Sequence, residues 1–244
     1  FTEVSPGNYL TKGRVEYETK GGLDSDRNKS ARLEDQRVYN TTLGGSHLFN
    51  KLKMDWSITH AKASEERPFE RYTSYRSSNQ DVTVDVSNPD KPYAYLSNPE
   101  DNLEIGFNGL SEQYGYTSDQ DLNAKLDFKL PYSPKGILQF GLRYRGKNKD
   151  RDNNFYEYEQ LDEEAFGETI ADVPNNNYSD PNFLAGSHYQ VGTFMTPAYL
   201  GGLDFKNSDL FEESDIPEEY APGNYTAKET ITGGYVMADH QFSE

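Results

Sequence analysis

Between Asp121 and Tyr132 the chain reads DLNAKLDFKLPY. The even positions Leu122, Ala124, Leu126, Phe128, Leu130 and Tyr132 are apolar or aromatic, whereas Asp121, Asn123, Lys125, Asp127 and Lys129 are polar. A period of two is what a strand with one dry face requires. A helix would instead set Lys125 and Phe128 on the same face. Only Pro131 breaks the rule, at a strand end where a missing N–H matters least.

The pattern recurs. After the turn Ser133-Pro134-Lys135-Gly136, Leu138, Phe140, Leu142 and Tyr144 alternate with Gln139, Gly141, Arg143 and Arg145, which predicts a hairpin. Leu52, Met54, Trp56 and Ile58 alternate with Lys53, Asp55, Ser57 and Thr59, and Val38 to Phe49 precedes them across Asn50-Lys51. A last run, Tyr225 to Phe242, alternates less cleanly, with Ile231, Gly233, Tyr235 and Met237 on one phase. The expectation is an all-β chain with antiparallel strands at about 31–49, 52–66, 117–132, 137–159 and 224–243. Two short turns and two long connections, about 67–116 and 160–223, join them.

Structureless links of that length are uncommon in compact soluble domains. Short turns at one end and long loops at the other are the layout of an outer-membrane β-barrel, with the long loops outside. The strands are also long beside the ~5–6 residues usual in globular proteins, and Phe49, Phe128 and Tyr132 near strand ends suit an interfacial aromatic girdle. The alternative is a soluble, secreted or periplasmic β-sandwich that binds carbohydrate, its apolar face buried on a second sheet.

Composition narrows the function classes. The net charge of −17 argues against a nucleic-acid partner, which needs basic patches over phosphates. The charge is uneven: residues 161–223 carry 13 Asp and Glu against the single base Lys206. Such a segment is expected to face polyanionic lipopolysaccharide with divalent cations between, and loosely bound Ca²⁺ at 161–223 is the one ion expected. There is no cysteine, hence no disulfide scaffold and no thiol nucleophile. No run approaches the ~18 apolar residues of a spanning helix. The chain opens on Phe1 with no signal-peptide pattern, the expectation for a mature chain or an excised piece.

No catalytic motif stands out, and the chain is not expected to be an enzyme. Glu163/Glu164, Glu212/Glu213 and Glu218/Glu219 have no fixed separation, and adjacent strand positions point to opposite faces. Asp24-Ser25-Asp26-Arg27-Asn28 starts like a calcium loop, but Lys29 stands where Gly is required and Asp35 where Glu is expected. His47, His60 and His240 are expected on strands and His188 in a loop, too dispersed to ligate a metal together. The binding candidates are exposed loop aromatics, among them Tyr72, Tyr75, Tyr93, Tyr95, Tyr156 and Tyr158, able to stack on sugars or catecholate rings. Arg143 and Arg145 join them, facing the lumen if Phe140 and Leu142 face lipid.

Several of these segments also resemble a known family. Asn224–Glu244 (NYTAKETITGGYVMADHQFSE) is similar to a strand of TonB-dependent outer-membrane receptors. Gly141-Leu142-Arg143-Tyr144, Leu33–Gln36 through Leu43-Gly44-Gly45, Met54-Asp55-Trp56 to Arg67-Pro68, and LNAKLDFKLPY at 122–132 have the same flavour. The resemblance touches all five expected strands and neither acidic connection. It implies a barrel of about 22 strands plugged by an N-terminal domain, in the outer membrane of a Gram-negative bacterium. Such a receptor imports a glycan or metal chelate on proton-gradient energy delivered through TonB. Neither a plug domain nor a TonB box is visible here, so the chain is expected to be part of a barrel domain. It would begin in an external loop and end at a periplasmic turn. The TonB system would act through the parent's missing plug, and no cofactor beyond loose Ca²⁺ is implied.

Overall fold

A computed structural model describes residues 1–23, 32–162, 167–185, 189 and 191–242. The chain is all-β and built on a large antiparallel sheet. Its strands are β1 (Thr2–Ser5), β2 (Asn8–Gly22), β3 (Asp35–Phe49), β4 (Leu52–Asp85), β5 (Tyr93–Leu96), β6 (Gly106–Ser133), β7 (Gly136–Gln160), β8 (Asn175–Asn177), β9 (Thr193–Met195), β10 (Phe211–Asp215) and β11 (Tyr225–His240). Among the described residues two short α-helices, α1 (Pro197–Gly202) and α2 (Pro217–Tyr220), interrupt the later part. No closed barrel is formed by the described residues.

The chain divides into two compact units, to both of which the long strands β4, β6 and β7 contribute. The second unit comprises 34–67, 115–153 and 220–244. In it β3, β4, β6, β7 and β11 are successive neighbours, the five strands expected from the alternation. Asn50 takes the left-handed conformation (φ 55°) that the tight β3–β4 turn demands, which Asn tolerates better than most residues. Register then fixes the faces. Leu43 lies opposite Ile58 and Phe49 opposite Leu52, whereas Ser46 lies opposite Asp55 and Thr42 opposite Thr59. On β7, Phe140 faces Val236 and Leu142 faces Gly234, while Arg143 faces Gly233 and Arg145 faces Ile231. Phe128 stacks on Phe140 at 4.9 Å between ring centres, so the apolar phase of β6 shares their side.

One face of this sheet is apolar and the other charged. Ile231, Tyr235 and Met237 lie on the charged side, which is why the last run alternated poorly. On that side Arg145 pairs with Asp121 (2.8 Å), Lys147 with Asp119 (3.0 Å), and Tyr235 donates to Asp127 (3.0 Å). Nothing among the described residues covers the apolar side. Leu142 is 62% exposed, Leu43 66% and Val236 77%, and the second unit contributes no member to the buried apolar cluster.

The first unit comprises 1–33, 68–114 and 154–219. It corrects the expectation that 67–116 and 160–223 are long connections. Strand β4 runs on to Asp85 and β6 starts at Gly106, so most of the first connection is sheet. Residues 8–22, for which no strand was expected, form β2 and pair with 70–85. The segment after β7 folds back as short elements whose Ile170, Val173, Met195, Leu200, Phe205 and Phe211 form a dry cluster with Tyr75, Ile105, Leu110 and Tyr158.

Arg71, 4% exposed, organises that cluster. Its Nε donates to Glu112 Oε2 at 2.7 Å, and its Nη1 lies 3.1, 3.1 and 2.7 Å from the carbonyl oxygens of Leu200, Gly201 and Leu203. Carbonyls at a helix end are short of intrahelical N–H donors; that of Leu200 also takes the Leu203 N–H at 3.4 Å, and the guanidinium sits 4.1 Å over the Phe205 ring. At the other end of α1, Thr196 accepts from the Tyr199 N–H and Pro197 occupies the first turn. Arg71→Met is therefore expected to cost about 3 kcal/mol, because Glu112, partly buried, would lose its partner. Lys12→Met, which removes an exposed pair with Asp81, should cost under about 1 kcal/mol. Chemical denaturation followed by near-UV circular dichroism compares the two.

Candidate functional site

In the first unit β4, β6 and β7 border a cavity of about 740 Å³, within the ~300–1,000 Å³ usual for small-molecule sites. Three stretches form its walls: Tyr72–Ser74 of β4, Gly106–Ser111 of β6 and Glu157–Gln160 of β7. Glu18, Glu168 and Ser214 complete the rim. The stretch GFNGLS puts two glycines and two small polar residues on the wall, so backbone groups approach the space closely. Asn108 is fixed by donating its Nδ2 to Ser74 Oγ at 2.8 Å.

Behind Tyr72 a polar network sets the wall. Glu70, fully buried, accepts from Tyr72 Oη (3.0 Å) and from Gln113 Nε2 (2.7 Å), and Arg32 Nε stands 2.9 Å from its other oxygen. Burial, with the Glu70 charge next in weight, raises the Tyr72 phenol above its ordinary value, so it stays protonated and a donor. On the core side of these walls, the phase of Thr19 and Phe211, two buried polar atoms have no hydrogen-bond partner among the described residues: Thr73 Oγ1 and Gln160 Oε1. Thr73 is 1% exposed. Buried polar atoms are rarely left so, because the desolvation cost goes unrecovered.

No family model, curated protein or solved structure matches the chain.

The binding candidates read from the sequence fall in different places. Arg143 and Arg145 lie on the charged face of the second unit, opposite in phase to Phe140 and Leu142. Arg145 is engaged by Asp121, whereas Arg143 borders a hollow with Lys125, Lys129, Asp127 and Tyr235. Tyr93 and Tyr95 sit on β5, which pairs with the end of β4, and Tyr93 meets Tyr189 at 5.5 Å. Tyr156 is half-buried at the start of the β7–β10 pairing. Tyr158 and Tyr75 correct the picture of exposed loop aromatics: both are core residues. Tyr158 donates to Glu213 Oε2 at 3.0 Å and packs 4.2 Å from Phe205.

The carboxylate pairs separate as strand geometry dictates. Glu213 lies opposite Tyr158 and Glu212 opposite Glu159, on the other face. Glu218 and Glu219 fall in α2. Glu163/Glu164, the 24–28 loop and His188 lie outside the described residues. Among the described residues no three His, Asp or Glu side chains converge on a metal position. Thr73, Asn108, Glu157, Glu159 and Gln160 were not singled out from the sequence. The short glycine-spaced stretch before the strong β6 alternation was the available signal.

Burial pushes the phenols of Tyr75 and Tyr158 well above the ordinary tyrosine value; for Tyr158 the nearby Glu112 and Glu213 charges add to it. A folded-state pKa above the unfolded ~10 means that the stabilisation is complete below pH ~10 and is lost as pH rises through the folded value. Tyr75→Phe and Tyr158→Phe should each flatten the fall in stability above pH ~10. At neutral pH Tyr158→Phe should cost about 1 kcal/mol for its bond to Glu213. Tyr75→Phe should cost nothing, since the Tyr75 hydroxyl has no partner among the described residues. Denaturant titrations at several pH values read both effects.

Proposed function

We propose that this chain is part of the wall and external region of a TonB-dependent outer-membrane receptor that imports a glycan or a metal chelate. The observation that carries the reading is the second unit's five-stranded sheet, apolar on one side and charged on the other, with its apolar side uncovered by any described residue. Soluble monomers rarely expose a contiguous apolar patch beyond a few hundred Å². Lipid on that side satisfies the apolar phase, and the charged side then faces a polar lumen.

The remaining features fit this placement. A residue pairing such as Asp121–Arg145 belongs in a wet or protein-filled interior rather than in hydrocarbon. Aromatic contacts cluster at the hairpin end, where Tyr132 stacks on His240 and His240 meets Phe242, as an interfacial belt would have them. The first unit has its own core, and the acidic segment 161–223 would meet lipopolysaccharide through divalent cations. The parent's plug would carry the connection to TonB.

The chain is expected to need detergent or lipid to remain monodisperse. Leu142→Arg, on the apolar phase, should destabilise the bilayer-inserted protein by about 2–4 kcal/mol, whereas Asn123→Arg, on the charged phase, should change it little. Denaturant titration in phospholipid vesicles distinguishes the two. A β-rich monomer that is stable in plain buffer without detergent or lipid would instead favour the soluble carbohydrate-binding sandwich.

A further inference from the structure

We infer that the charged side of the second unit carries an oxyanion site, a hollow in which Lys125, Lys129 and Arg143 hold a small carboxylate- or phosphate-bearing ligand. This deepens the receptor reading by favouring an anionic chelate over a neutral glycan as cargo, and it rests on that reading only for the word cargo.

The hollow, about 570 Å³, lies within the second unit and is bordered by β4, β6, β7 and β11. Glycine makes the room. Gly141 lies opposite Tyr235, and Gly233 opposite Arg143. A Cβ at 141 would stand 2.6 Å from Asp127 Oδ1 and 2.7 Å from Tyr235 Cε1, so only Gly lets the phenol cross β7 and donate to Asp127 at 3.0 Å. A Cβ at 233 would touch nothing within 4 Å, so the space beside Arg143 is open.

Charge does the selecting. Nearby bases on this side are neutralised: Lys53 by Asp55 at 3.1 Å, Arg145 by Asp121 at 2.8 Å and Lys147 by Asp119 at 3.0 Å. Lys125, Lys129 and Arg143 have no hydrogen-bond or ion-pair partner among the described residues. The Arg143 charge reaches Tyr235 through space, and that of Lys129 reaches Asp55, which sets both over the hollow. With Asp55 taken by Lys53, three cations stand against Asp127 alone, and its carboxylate already accepts from a phenol. That is a local excess of positive charge in a chain of net charge −17. Like charges gathered round one space repel, and an oxyanion among them turns the repulsion into attraction. The guanidinium supplies a planar fork and the two ammonium groups supply mobile donors, which suits a carboxylate or phosphate. A neutral glycan gains nothing from the excess charge.

The test titrates the full chain calorimetrically in lauryldimethylamine oxide, a detergent without a sugar headgroup. The probes are citrate, inorganic phosphate and the neutral sugar maltotriose. The expected result is saturable binding of citrate or phosphate at one site per chain, weakened by about tenfold or more in Arg143→Gln and in Lys129→Gln. Both residues are exposed, so the variants keep the fold, which circular dichroism checks. Lys147→Gln removes the same charge from the same side, but from a paired residue outside the hollow, and should change affinity by less than about twofold. The inference is overturned if neither anion binds, if both hollow variants keep wild-type affinity, or if Lys147→Gln loses as much as they do. Maltotriose binding that the hollow variants weaken alike would also overturn it. Membrane placement is scored separately on the same preparation. A chain that binds citrate through Arg143 yet is monodisperse without detergent refutes the receptor wall and leaves this site standing. A detergent-dependent chain that binds neither anion does the reverse.

Discussion

A β-sheet with one apolar face has to put that face against something other than water. In the second unit of this chain the requirement is unusually clear, because register, and not just pattern, sorts the side chains. Ile58, Phe128, Phe140, Leu142 and Val236 share one side; Asp55, Asp121, Arg143 and Arg145 share the other. Each large apolar side chain left in water forgoes roughly 1.5–3 kcal/mol, and a row of them on five strands is more than a marginally stable domain tolerates. The same arrangement in a bilayer has no such cost, and it turns the cross-strand ion pairs inward. Everything proposed about location follows from that one asymmetry.

The first unit solves the problem differently. There the strands carry Thr19, Arg71 and Thr73 among their inward positions, and the chain after β7 supplies the apolar cover. A buried guanidinium is tolerated because one carboxylate, three carbonyl oxygens and an aromatic face surround it. Such an arrangement ties a long irregular segment to the sheet with few residues. It leaves the opposite phase of the strands, with Glu18, Ser74 and Glu159, free to shape a polar hollow beside them.

This difference also explains what the sequence disclosed. Strands β6 and β7 of the second unit were legible because one phase is purely apolar over Leu122 to Tyr132 and Leu138 to Tyr144, which alternate without ambiguity. The extension of β4 was not legible, because Arg71 and Thr73 occupy core positions and erase the period. Strand β2 was hidden likewise by Thr19 and Gly21 on its inward phase. The irregular segment 167–216 has no period to read, yet its Thr196-Pro197 cap and Thr169–Asp172 capping box carried a local signal. Arg143 and Arg145 were placed on the right phase by alternation alone. The cavity was not foreseen, since its walls come from three strands far apart in sequence and its residues are individually ordinary.

Function enters through the contrast between the two units: one offers a surface suited to lipid, the other a polar cavity suited to a ligand. The placement in lipid is the claim on which the receptor reading stands. Because the chain has no cysteine, single cysteines introduced in turn at 138–145 of β7 can be spin-labelled without background. Each variant, in phospholipid bilayers, is then scored for collision with oxygen and with a water-soluble nickel chelate. The account predicts a period of two, with labels at 138, 140, 142 and 144 favouring oxygen and those at 139, 141, 143 and 145 favouring the chelate. Uniform access to the chelate along the whole segment, or the opposite phase, would contradict it.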